Sequence, residues 1–179
     1  NKSGNATSVE KDMETVGKKV EAGGVTPKAH AADLNAGTVK EWNNTAGRDV
    51  AQETTPEVEL SKIKEAYSYF ELGMSYHRQG ETQKAITAFT KAIELNPVYA
   101  ASYNNRGFLY ETIKDYPKAL ADYNKAIELN PKFAASYYHS RGRIYTTLKD
   151  YTKALVDYNK AIEINPGYAA AYNNRGVLY

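Results

Sequence analysis

From residue 66 onward the apolar side chains recur at helical spacing in segments of about 13 residues, two to a unit, separated by short polar breaks. In the second segment of each unit an Ala (Ala85, Ala119, Ala154) precedes an aromatic by four positions (Phe89, Tyr123, Tyr158), and a further Ala follows (Ala92, Ala126, Ala161). In the first segment a Gly is followed three residues later by Tyr. Small residues of this kind let two helix axes approach to roughly 8–10 Å, with aromatics filling the groove beside the crossing. Each unit closes on Asn-Pro at Pro97, Pro131 and Pro166, where proline disfavours a helical residue before it and then opens the next helix. The pattern predicts helix pairs.

Those pairs repeat. Gly73, Gly107, Gly142 and Gly176 are spaced by 34, 35 and 34 residues. The run from Tyr116 to Pro131 returns almost unchanged as Tyr151 to Pro166. A period near 34 is the mark of a solenoid, in which no unit buries its apolar face without a neighbour. Asp115 and Asp150 stand where they would cap the second helices, and Pro117 suits a first turn.

These residues resemble the tetratricopeptide repeat family and its W-x2-L-G-x2-Y…A-x3-F…A…P pattern. Tyr69, Tyr103, Tyr138 and Tyr172 stand for the Trp; Leu72 keeps the Leu, and Arg106, Arg141 and Arg175 replace it. The resemblance implies an all-α, right-handed superhelical solenoid of seven helices. It divides the chain into a leader, 1–54, and a solenoid, 55–179, with repeats at about 66–99, 100–133 and 135–168 and a partial fourth at 169–179. The Arg replacements have matching partners: 16 residues after Leu72 stands Ala88, whereas 16 after Arg106 and Arg141 stand Asp122 and Asp157. A bidentate pair within each repeat is expected; the rival, Asp to the next repeat's Arg, would leave Arg106 facing Ala88.

Two irregularities interrupt the solenoid. Thr55, Pro56, Glu57 and Glu59 form a helix start, so the first helix is expected to run from Pro56 to about Gln79, with Val58, Leu60, Ile63 and Ala66 extending its apolar face as a capping extension. The 35-residue spacing places an extra residue between Ser136 and Arg141, absorbed as a π-bulge or as a frayed first turn.

Composition separates the leader from the body. All 16 Tyr and all four Phe lie between Tyr67 and Tyr179, whereas residues 1–55 hold Trp42 and six of the 12 Gly. Val9, Met13, Val16 and Val20, behind a Thr7-x-x-Glu10 capping box, suggest one amphipathic helix at about 8–22, followed by loose, polar chain. Asn5 and Asn43 begin glycosylation sequons. The opening Asn1-Lys-Ser-Gly4 resembles a bacterial lipoprotein segment without its Cys, which leans the expectation toward an exported protein over a cytoplasmic one.

A net charge of +2 gives no electrostatic footprint for nucleic acid, and no apolar run reaches the roughly 18 residues of a membrane span. The chain has no Cys and three His, so thiolate chemistry is absent and metal sites are thinly supplied. Phosphate-binding, zinc-protease and calcium-loop motifs are missing as well. A non-enzymatic protein with no cofactor and no metal is expected.

By the resemblance, the first helix of each repeat lines a concave groove that takes an extended peptide. Its slots fall on Tyr67, Phe70, Met74 and His77, then Asn104, Phe108 and Glu111, then His139, Arg143 and Thr146, then Asn173 and Val177. The Lys, Asn and Arg clamp by which some relatives grip a terminal carboxylate lacks its lysines here, although Asn105 and Asn174 fall near an Asn slot. The other expectation is a structural subunit stacking head to tail into an extracellular or envelope filament. It would use Val58, Leu60 and Ile63 at one end and Tyr172, Val177, Leu178 and Tyr179 at the other.

Overall fold

The computed structural model describes residues 11–12 and 56–178. Asn5, Asn43, Thr55, Tyr179 and most of the 8–22 segment lie outside the described residues. Seven α-helices follow Pro56: α1 (Pro56–Arg78), α2 (Thr82–Leu95), α3 (Ala100–Thr112), α4 (Tyr116–Leu129), α5 (Ala135–Thr147), α6 (Tyr151–Ile164) and α7 (Ala169–Gly176). The described residues contain no strand. Each helix packs chiefly on its neighbours in sequence, and the first helices of successive pairs also touch, α3 on α5 and α5 on α7. This is an all-α solenoid.

The turn inside each pair is built the same way. Gly80, Lys114 and Lys149 adopt left-handed backbone with φ of 75°, 62° and 61°. The next amide then reaches back five residues: Glu81 N–H to Tyr76 O, Asp115 N–H to Tyr110 O and Asp150 N–H to Tyr145 O, at 2.8–2.9 Å. This closes the carbonyls of the preceding helix, as a left-handed C-terminal residue does. The Asp115 and Asp150 carboxylates then accept from the Lys118 and Lys153 amides at 3.4 and 3.2 Å, so the expected caps are present.

Between pairs, the Asn-Pro turns carry the chain to the next first helix. The extra residue of the third unit is absorbed there, in a single 3-10 turn at Pro131–Phe133 followed by Ala134, ahead of α5. There is no π-bulge; the tighter first turn is the outcome. The Ala-Ala-Ser-Tyr string at 100–103 recurs at 134–137, yet helix α3 begins at Ala100 and α5 at Ala135. The repeated letters therefore stand one register step out of the repeated structure.

The core forms where the helices of each pair cross. A Cβ on Gly73 would lie 2.8 Å from the Phe89 ring, and one on Gly142 would lie 2.7 Å from the Tyr158 ring. At Gly107 the nearest atoms, Asp122 Cβ and the Tyr123 ring, stand at 3.2 and 3.3 Å. Phe89, Tyr123 and Tyr158 are fully buried, as are the alanines that flank them. In the extended start of α1, Val58 and Leu60 are exposed, Ile63 is half-buried and Ala66 is buried, so the expected apolar face is covered only toward its C-terminal end.

Gly142→Leu forces a branched side chain into this contact and is expected to lower unfolding free energy by about 1–3 kcal/mol or more, read from urea denaturation. Gly176→Ala, where a Cβ meets nothing within 4 Å, is expected to be neutral or slightly stabilising.

Candidate peptide-binding groove

The rows of first helices that would line a groove are held in register by arginine. Arg106 Nε and Nη2 donate to the two oxygens of Asp122 at 2.8 and 2.7 Å, and Arg141 repeats this with Asp157 at the same distances. The intra-repeat pairing holds. Each of these guanidiniums also reaches back, and Arg175 does the same: Arg106 Nη1 donates to Thr90 Oγ1 at 3.0 Å, Arg141 Nη1 to Asn124 Oδ1 at 2.5 Å and Arg175 Nη1 to Asn159 Oδ1 at 2.8 Å. Thr90, Asn124 and Asn159 are equivalent positions on α2, α4 and α6. One arginine therefore joins its own second helix to that of the preceding pair. Burial opposes the charge on Arg106, but the bonds to Asp122 outweigh it and raise its pKa; at Arg141 the bonds to Asp157 lead.

The slots expected to line the groove divide into two kinds. Toward the first pair, Tyr67, Phe70, Met74 and His77 are half-buried, and Phe108 is 38% exposed. Tyr67 and Phe70 rings lie 6.2 Å apart, and the His77 and Phe108 rings meet edge to face at 5.5 Å, bridging α1 and α3. Phe70 also packs edge-on against Tyr99 at 5.2 Å. Two partly exposed aromatic groups, Tyr67–Phe70–Tyr99 and His77–Phe108, thus form a strip along these helices. Asn104 is half-buried beside it, and Asn173 and Val177 are exposed at the far end.

Toward the third pair the slots are committed to the protein itself. Glu111 accepts from Tyr123 Oη at 3.0 Å and pairs with Arg143 Nη2 at 2.8 Å, using both its oxygens. Thr146 Oγ1 bonds Tyr158 Oη at 2.9 Å. Burial, and then the Glu111 charge, push the Tyr123 phenol well above its ordinary range. His139 is 9% exposed, covered by Tyr168 at 5.2 Å between rings and by Asn174, whose amide lies 2.9 Å from Nε2. His139 therefore sits in the interior, where α7 and its leading turn close over it, and does not face an open groove.

The distinction follows a signal inside the repeats. Twelve residues before Phe89, Tyr123 and Tyr158 stand His77, Glu111 and Thr146. A buried tyrosine needs a partner for its hydroxyl, and Glu111 and Thr146 supply one. Phe89 needs none, so His77 is left to the surface. The sequence reading missed Tyr99, Tyr168 and the inward role of Asn174, because all three depend on how one pair closes on the next. Asn105 is likewise engaged, donating to Ala101 O at 2.8 Å. No group of three metal-ligating side chains occurs among the described residues.

Removing one partner of the pair strands a buried charge. Arg106→Leu alone is expected to cost about 3–5 kcal/mol in chemical denaturation, while Arg106→Leu with Asp122→Ala, copying Leu72 and Ala88 of the first repeat, recovers most of it. His139 gives a pH signature. Burial, aided by Arg143, lowers its pKa below the usual 6.5, so it is neutral in the fold and accepts from Asn174. Its contribution is full above that value and is lost as pH falls toward the lowered one. Between about pH 7 and pH 5 the chain is expected to lose more stability than its His139→Gln variant, measured by thermal melts across pH.

The chain matches the tetratricopeptide repeat at residues 66–99 and 100–133, and the TPR repeat at residues 142–179. Among solved structures it is similar to the first TPR of Spaghetti (RPAP3) bound to HSP90 peptide SRMEEVD: 28% identity, TM-score 0.62, covering 65% of this chain and 91% of that one. It is also similar to MamA, with 27% identity, TM-score 0.61 and coverage of 69% and 74%. The Arabidopsis OM64 TPR domain shows 25% identity, TM-score 0.62 and coverage of 65% and 96%. No curated protein sequence matches the chain. Repeated pairs crossing at glycine and locked by arginine, together with these matches, place the chain in the tetratricopeptide repeat family of protein-interaction modules.

Proposed function

We propose that the protein is a non-enzymatic scaffold that holds a peptide segment against the first helices of its repeats, anchored at Tyr67, Phe70, Met74, His77 and Phe108. The observation that carries this is the aromatic strip from α1 to α3, left open while the equivalent slots of the third repeat serve internal hydrogen bonds. Such a strip suits an extended chain presenting an apolar or aromatic side chain, with Asn104 offering an amide to its backbone. A similar solved domain carries an HSP90 peptide, which supports peptide binding as the mode. The recognition differs, because Phe70 and Met74 offer contact area and no cationic clamp. The Glu111–Arg143 pair closes the strip at its polar end.

Head-to-tail self-assembly is a second reading, favoured by Val58 and Leu60 exposed on α1 and by Val177 at 81% exposed beyond α7. Sedimentation across a concentration series separates the two: polymer growth supports assembly, and a monomer at high concentration rejects it.

Peptides selected from a displayed random library provide the probe for the groove. Phe108→Ala and His77→Ala are each expected to weaken the selected peptide by about tenfold or more in fluorescence titration. Val156→Ala, on an exposed position of α6, is expected to leave affinity unchanged. Equal affinities across all three variants would overturn the placement.

A further inference from the structure

The first repeat is buried on a face that nothing in the repeat pattern covers. In the second and third pairs Arg106 and Arg141 reach the second helix of the preceding pair, at Thr90 and Asn124, and Tyr110 packs against the core of the preceding pair as well as its own. The matching residues of the first pair are Tyr69, Leu72 and Tyr76, and no pair precedes them among the described residues. They should be the most exposed of the series. Instead Tyr76 is 4% exposed and Tyr69 is buried, whereas Tyr110, Tyr145, Tyr103 and Tyr138 are all half-buried. Ile86 on α2 is buried too, while its counterparts Leu120 and Leu155 are half-buried.

One contact names the occupant. The Tyr76 hydroxyl donates to the carboxylate of Asp12, across 64 residues, and Lys11 and Asp12 are helical. Asp12 lies beside Met13 in the stripe formed by Val9, Met13, Val16 and Val20. On a helix these four share one face, Asp12 flanks it, and Lys18 stands on the far side. The Lys84 ammonium lies 5.3 Å from the centre of the same Tyr76 ring and pairs with Glu81.

We propose that residues 8–22 form a helix that stacks on the Tyr69–Leu72–Tyr76 face of α1 and takes the place of a preceding repeat's second helix. The exchange of Arg and Asp for Leu72 and Ala88 in this repeat then has a reason. An internal repeat presents its Arg to a hydroxyl or amide on the helix before it, whereas this face meets valine and methionine. The leader segment is thus a built-in cap on the first repeat that leaves the aromatic strip open.

The chain has no cysteine, so Lys18→Cys gives a single attachment point for a nitroxide spin label on the full-length protein. Amide signals of Tyr69 to Tyr76 and of Ile86 are expected to lose most of their intensity, and those of α6 to keep theirs. Mixing spin-labelled chain with separately isotope-labelled chain is expected to leave the signals intact, since the contact is intramolecular. Adding Met13→Asp and Val16→Asp is expected to restore the intensities and to speed amide exchange of α1 roughly tenfold, with Ile144 in α5 unaffected. Loss centred on Phe108 and Arg143 would place the leader in the groove, and loss in the mixed sample would place it on a second copy. Either result, or no loss at all, overturns the cap.

Discussion

The helices of each pair cross at a glycine where a Cβ would collide with an aromatic ring, as in the first and third pairs, or crowd it, as in the second, and the remaining architecture follows from that approach. At Gly73 and Gly142 the aromatic ring occupies the space that a Cβ would take. The ring of Phe89, Tyr123 or Tyr158 then fills the space beside the crossing, and alanines on either side keep the approach close along the second helix. Once the crossing is set, the residue just before the glycine faces the second helix 16 positions further on. That is where the arginine pairs form.

A buried ion pair is a weak source of stability, because desolvation of both ions opposes their attraction. The molecule contains both solutions at one site: Leu72 with Ala88 in the first repeat, Arg with Asp in the next two. What the ionic version adds is direction. A planar guanidinium with two nitrogens on Asp122 has its third fixed in space, and that nitrogen meets Thr90 of the preceding pair. Apolar packing fills the same volume without specifying this angle. The repeat-to-repeat rotation, and with it the alignment of Phe70, His77 and Phe108 along one surface, rests partly on those donors.

The period, the glycine crossings and the arginine pairs were legible in the sequence because each is a contact at fixed separation within one unit. The features that escaped it belong to the junctions. The extra residue of the third unit was misplaced by identical letters at 100–103 and 134–137, since residue identity there reports composition more than register. His139 occupies a first-helix slot, yet it is buried, because Tyr168 and Asn174 arrive from the following unit. Glu111 was readable as a lining residue but not as one spent on Tyr123 and Arg143. The apolar extension of α1 showed its pattern plainly, and a pattern alone does not say whether anything lies against it.

Every acceptor of Arg106 and Arg141 lies 16 or 17 residues away in sequence, on one side or the other. Fixing them closes only short loops of chain, a low-contact-order arrangement whose entropic cost is met locally. As the chain emerges from its N-terminal side, the backward donor of each arginine finds its acceptor already in place, and the forward pair completes one helix later. The solenoid can therefore grow outward from any formed pair by accretion, and its folding rate is set by the closing of one unit and not by the length of the whole.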